Sequence, residues 1–186
     1  MPRLFVAIDF PNSVSDRLQD IAYGLQGAAW VHQYHLTLRF LGETNTHAFE
    51  DIQHALNEVH AESFHVDLKG VGHFPPRGNP EVLWVGVAPN PSLLRLNRRM
   101  ESALAKAGVP PEGRKFHQNI TLARLKNGAA RYVGDYEVQN ALFKIHEVPV
   151  DGFHLYSSRL TSEGALHTVE ESYALEGMLQ GHHEED

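Results

Sequence analysis

His35-Leu36-Thr37-Leu38, continued by Arg39-Phe40-Leu41-Gly42-Glu43, decides how the rest of the chain is read. Its alternation is that of a β-strand: His35 and Thr37 project to one face, Leu36 and Leu38 to the other. One face carries a titratable imidazole and a hydroxyl; the other is apolar. Continued in phase, Arg39 joins the polar face. A near copy, Asn119-Ile120-Thr121-Leu122 followed by Ala123-Arg124, stands 84 residues later. Two echoed strands predict two similar half-units whose polar faces share one cleft. The copy differs at its first position, Asn119 where the first strand has His35.

Working outward, Ser13 to Gln26 carries Leu18, Ile21, Ala22 and Leu25 at helical spacing, with Gly27 as a stop. Thr44 or Thr46 caps a second helix over about His47 to Ala61, burying Phe49, Ile52, Leu56 and Val59. A strand follows over 64–71, and a Pro- and Gly-rich loop over 73–80. Val82 to Val87 is a nearly continuous apolar strand. Asn90-Pro91 opens a third helix that buries Leu93, Leu96, Met100 and Leu104 and ends at Gly108. Its Arg95, Arg98 and Arg99 read as a solvated face, with an RNA contact as the alternative. The stretch 127–139 is the least readable part: Gly128 and Gly134 break its pattern, and it has room for a short helix at most. One or two strands fill 143–160 around Asp151-Gly152, and a last strand spans 165–173. Strands joined by turns, with helices between, predict an α+β fold with mostly antiparallel sheets. No linker divides residues 1–186; they read as a single domain with a disordered tail from about 177, including His182-His183.

The absence of cysteine excludes disulfides and thiolate chemistry. The apolar run Leu4–Ile8, closed by Asp9, is too short for a signal sequence or a membrane span. It reads as a first strand of a cytoplasmic protein. The net charge of −7 argues against nonspecific nucleic-acid binding, which needs a basic surface.

Two histidines facing one another can move two protons in one reaction, one drawn from a nucleophile and one given to a leaving oxygen. A threonine two residues on points to the same face, where its hydroxyl can bond a phosphate oxygen. Such a pair needs neither metal nor nucleotide cofactor. Asparagine hydrogen-bonds but does not exchange a proton near neutral pH. His117 sits two residues before Asn119 on the same strand face, roughly 6–7 Å away by strand geometry. That distance suits a flanking, substrate-edge role better than proton transfer. Phe40 and Trp84 read as core, with base stacking as the alternative.

RLFVAIDFP, WVHQYHLTLRFLGE, FPPRGNPEVLWVGV, FHQNITLARLK and HLYSSRLTSEGALHTVEESYAL span nearly the whole chain. In these segments the sequence resembles the two-histidine phosphoesterase superfamily, and within it the RNA 2′,3′-cyclic phosphodiesterases, also called 2′-5′ RNA ligases. The resemblance implies a bilobal, pseudo-twofold fold with two antiparallel sheets, flanking helices and a cleft between the lobes. It implies that His35 and Thr37 form the first catalytic pair and that Asn119 and Thr121 occupy the second. The family commonly has Pro-His where this chain has Gln118-Asn119, and an engineered replacement or a natural departure would each account for it.

The implied reaction opens a terminal 2′,3′-cyclic phosphate to a 2′-phosphate, without metal or cofactor. With an RNA 5′-hydroxyl as nucleophile the product is a 2′-5′ linkage. Asn119 implies low turnover. Arg39 and Arg124 are expected to contact phosphate or RNA, although Arg124 reaches that face only if its strand bends. The expected partners are RNA ends or nucleotides bearing a 2′,3′-cyclic phosphate or a 2′-phosphate, met by a monomer. The alternative is a noncatalytic binder of RNA ends or nucleotides.

Overall fold

Strand β1 (Arg3–Ile8) is buried on both faces from Leu4 onward, as its unbroken apolar run requires. It sits inside an antiparallel sheet in a computed structural model that describes residues 2–22, 25, 27–126 and 128–177. After β1 come α1 (Asn12–Ile21), β2 (Ala28–Trp30), β3 (Leu36–Glu43), α2 (Thr46–Asn57) and β4 (Phe64–Phe74). The chain continues through β5 (Val82–Val87), α3 (Pro91–Lys106), β6 (Asn119–Leu125) and α4 (Ala130–Gln139). It closes with β7 (Lys144–Val150), β8 (Gly152–Thr161) and β9 (Gly164–Ala174). The expected disordered tail, with His182-His183, lies outside the described residues apart from Gly177, as does the Gln26 end of the first expected helix.

The strand order is β7-β4-β5-β6-β3-β1-β8-β9, with β2 paired to β6. The two expected sheets are thus the halves of one curled sheet. Their seam is a single antiparallel residue pair, Leu36 with Ile120, both fully buried. The halves are not successive stretches of chain. Strand β4 crosses to pair with β5, and β8 returns to pair with β1.

Amphipathic helices explain the layering. Val14 and Leu18 of α1, Ile52 and Leu56 of α2, Leu93, Leu96, Met100 and Leu104 of α3, and Val133 of α4 share one apolar core with the sheet. Leu36, Leu83, Val85 and Ile120 meet them from the strands. Among the described residues, the opposite face carries a small buried cluster, Phe5, Ala7 and Tyr156. Helices therefore cover one side of the sheet, and the other forms the open cleft.

The second helix is capped by Asn45, not by Thr44 or Thr46. The Asn45 side chain accepts the Ala48 N–H at 2.8 Å, while the Thr44 hydroxyl donates to the Gly42 carbonyl. In the third helix Asn90 accepts the Leu93 N–H and Pro91 takes the first turn, as the sequence predicts. Among the described residues, no helix is long and apolar enough to cross a membrane.

Candidate active site

The seam brings the two echoed motifs together. Leu36 and Ile120 point into the core, so Thr37 on β3, and Asn119 and Thr121 on β6, point into the cleft; His35 lies one residue before β3 and joins them there, its ring against Phe5, Tyr156 and His167. Because the strands run antiparallel, Thr37 lies toward Asn119 and His35 toward Thr121. Among the described residues, the Thr37 and Thr121 hydroxyls, the Asn119 amide and the His35 ring make no hydrogen bond. These groups are therefore free to meet a ligand.

Strict alternation fails one step beyond each motif, for the same reason in both strands. In β3, Thr37 pairs with Ala7 and Arg39 with Val6, leaving Leu38 as an extra residue. In β6, Thr121 pairs with Trp84 and Ala123 with Leu83, leaving Leu122 extra. These are matching β-bulges, in which two consecutive side chains turn to the same side. Leu38 with Arg39, and Leu122 with Ala123, all face the helices.

The bulge overturns the expectation for Arg39. Its side chain is 8% exposed and lies on the helix side of the sheet. The guanidinium donates to Glu101 of α3 and to the Pro110 carbonyl at 2.6 Å, with Glu112 at 3.5 Å. Arg39 thus pins the loop that leads into β6 and is removed from the cleft. Asn97 of α3 completes the arrangement by donating to the Leu38 carbonyl. Conversely, the bulge in β6 supplies the bend that Arg124 requires. Arg124 pairs with Val82, which alternates with the buried Leu83 and so faces the cleft. It is exposed and makes no hydrogen bond or ion pair among the described residues.

Phe40 also moves. Past the bulge it turns to the cleft face, 67% exposed, with its ring 6.0 Å from Phe5. Trp84 faces the cleft and lies over Gly72, where an added Cβ would collide with the indole. Neither aromatic is part of the helix-side core. His117 lies outside β6: the Asn119 N–H bonds back to the His117 carbonyl, a tight turn that breaks the expected strand phase. Its exposed ring stands 6.1 Å from Phe74 at the cleft rim. Arg98 and Arg99 lie far from this chemistry, along a groove between α2 and α3 on the helix side that also contains Asp51, Glu58 and Lys106. Arg99 there donates to the His60 carbonyl.

The closing hairpin β8–β9 builds a wall around His35 that the sequence reading missed. The His35 ring contacts Tyr156 at 4.8 Å, His167 at 5.5 Å and Phe5 at 5.8 Å. Burial lowers the His35 pKa from 6.5 to about 4, and the neighbouring His167 pushes the same way. His154 stands beside them with both ring nitrogens engaged, one to Asp9 at 3.0 Å and one to Ser172 at 2.8 Å. The hydrogen bond from His154 lowers the Asp9 pKa. Burial raises the Tyr156 hydroxyl to about 12, so it remains a donor. A signal was present in the sequence: His154 and Tyr156 alternate with the apolar Phe153 and Leu155. That this face meets His35 follows only from the pairing of β8 with β1.

Both halves of the chain, residues 8–84 and 85–167, match the family model for LigT-like phosphoesterases. A Thermotoga maritima protein named RNA 2′,3′-cyclic phosphodiesterase is 34% identical over 187 residues, covering 95% of this chain and 97% of its own length. An Archaeoglobus fulgidus protein of the same name is 32% identical, covering 89% of this chain and 96% of its own. The crystal structure of a Thermus thermophilus protein superposes with a TM-score of 0.77 at 30% identity, covering 95% of this chain and 100% of that one. Escherichia coli LigT complexed with 3′-AMP shares the fold at a TM-score of 0.74 and 23% identity, over 95% of this chain and 100% of that one. Matched in both halves and along nearly all of its length, the chain belongs to the LigT-like phosphoesterase family.

Proposed function

We propose that this chain is an RNA 2′,3′-cyclic phosphodiesterase that opens a terminal cyclic phosphate to a 2′-phosphate. One observation carries the reading: His35, Thr37, Asn119 and Thr121 converge on one cleft around the Leu36–Ile120 pair. Relatives from Thermotoga and Archaeoglobus that bear this name support it. Thr37 and Thr121 hold the nonbridging phosphate oxygens, and Arg124 supplies positive charge from the same face. His117 stands at the rim, where the rest of an RNA strand would leave the cleft. Arg39 has no part in substrate contact.

In the step itself, water attacks phosphorus as the bond to the 3′-oxygen breaks, and that oxygen takes up a proton, which Asn119 does not supply, to become a hydroxyl. His35, neutral at physiological pH because its pKa is held at about 4, takes the proton from water. An RNA 5′-hydroxyl in place of water gives the 2′-5′ linkage, without ATP. Asn119 holds the second motif's place by hydrogen bonding but carries no proton, so turnover is low. The enzyme works as a cytoplasmic monomer and needs no metal ion.

Hydrolysis of a 2′,3′-cyclic mononucleotide by this chain and by Asn119→His, with and without a chelator, tests the proposal. General acid–base assistance is typically worth ~10²–10⁴-fold. The variant should gain about 10-fold or more, the chelator should change neither rate, and the acid limb of the pH profile should fall near pH 4, not 6.5. No hydrolysis by either protein would refute the reading. A second reading, a noncatalytic binder of RNA ends, is favoured specifically by Asn119. Tight binding of a 2′-phosphate end with no turnover even in Asn119→His would establish it.

A further inference from the structure

Resting on that functional reading, we propose that His167 supplies the second proton of the reaction, from the same half of the sheet as His35. Asn119 removes the imidazole from the second motif, yet the cleft still holds two rings close together. His167, on β9, stands 5.5 Å from His35 with the planes at 78°, and its ring edge meets Phe5 at 5.0 Å. Phe5 packs against both rings, and Tyr156, stacked on Phe5, packs against that of His35.

Three other imidazoles near the cleft or its neighbouring helix are excluded by their contacts. His154 has both nitrogens engaged, His117 lies at the rim beside Phe74, and His73 is bound to Glu137 on the helix side. His167 differs from all three. Its Nδ1 is buried with no hydrogen-bond partner among the described residues. A buried ring nitrogen without a partner is costly in a merely structural role.

Spacing and charge suit the task. Rings 5.5 Å apart and nearly perpendicular can each reach a different oxygen of one phosphate within hydrogen-bond distance, ~2.6–3.2 Å. Two imidazolium ions this close repel, so the pair holds one proton in preference to two. Burial lowers the pKa of both rings, and further for the more deeply enclosed His35, so a proton taken up by the pair goes to His167. As water bonds to phosphorus, its proton passes to His35. As the bond from phosphorus to the 3′-oxygen breaks, His167 protonates that oxygen. Solvent then returns the proton from His35 and restores His167.

The test is His167→Gln made in this chain and in Asn119→His. Each protein is assayed on a 2′,3′-cyclic mononucleotide and on bis(4-nitrophenyl) phosphate, whose leaving group departs without a proton. With Asn119 in place, His167→Gln should slow the cyclic nucleotide about 100-fold, and at least tenfold more than it slows the nitrophenyl ester. In the Asn119→His background the loss on the cyclic nucleotide should be at least tenfold smaller, because the second motif again carries an acid. The ratio of the two substrates does not depend on the folded fraction, so a destabilised variant still gives an answer. Equal losses in both backgrounds, or on both substrates, would make His167 a packing residue and overturn the proposal. Hydrolysis of the cyclic nucleotide by Asn119→His but not by this chain would overturn it while leaving the cyclic phosphodiesterase reading intact. Inactivity of all four proteins on the cyclic nucleotide would remove both.

Discussion

Arg39 shows how much a single side chain's direction decides. In strand phase it is a cation beside His35 and Thr37; in the folded chain it is a buried anchor bound to Glu101 and the Pro110 carbonyl. Burial raises the Glu101 pKa, and Arg39 opposes that by stabilising its charge. Removing the guanidinium leaves a half-buried carboxylate without its cation. Arg39→Ala should therefore cost about 2–4 kcal/mol of stability. Arg39→Lys should recover only part of it, since one ammonium does not replace the guanidinium fork. Urea denaturation beside a titration with a 2′-phosphate nucleotide separates the roles. The denaturation midpoint should fall while affinity, measured well below that midpoint, changes less than threefold. A large loss of affinity at unchanged stability would return Arg39 to the cleft. Arg124 has the opposite history, exposed and unpaired among the described residues where the unbroken period would have turned it inward.

At the scale of elements, the sequence was legible wherever one period held from end to end. The third helix, β5 and the closing hairpin lie close to where alternation and helical spacing put them. Residues 127–139 were poorly legible because Gly128 and Gly134 interrupt the pattern, yet α4 forms because Val133 and Tyr136 reach the core. The bulges were invisible for a different reason. An extra residue is defined only against the partner strand, and one strand's own pattern does not contain its partner. Likewise the motif residues His35, Thr37, Asn119 and Thr121 were readable as a group, while the wall of Tyr156, His154 and His167 was not. The floor beside Thr121 offers an element-scale test. Trp84 lies over Gly72, so a methyl group there must displace the indole. Gly72→Ala should cost about 1–3 kcal/mol. In a Trp30→Phe background, where Trp84 alone reports, it should also shift the fluorescence emission. An unchanged spectrum and midpoint would show that the indole does not cover Gly72.

Over the whole molecule, the two matched halves of the sequence and the two halves of the sheet do not coincide. The boundary between matches, at 84 and 85, falls inside β5, and each half-sheet holds strands from both sides of it: β2 and β4 join β6 and β7, and β8 and β9 join β1 and β3. A fragment ending at residue 140 lacks the strands that cover β1 and β4 on their outer sides. It should unfold without a cooperative transition; a sharp two-state urea curve from that fragment would show that the closing strands are dispensable. The return of β8 to β1 also has a consequence for synthesis. About 150 residues separate these neighbours. At the ribosome's pace of ~5–20 residues per second, the apolar edge of β1 waits roughly 8–30 s for its cover. An uncovered Leu-Phe-Val-Ala-Ile edge is a template for pairing with other nascent chains. Strand β1 is therefore where a chaperone has most to shield during translation, and where slowed elongation downstream would show first as aggregation.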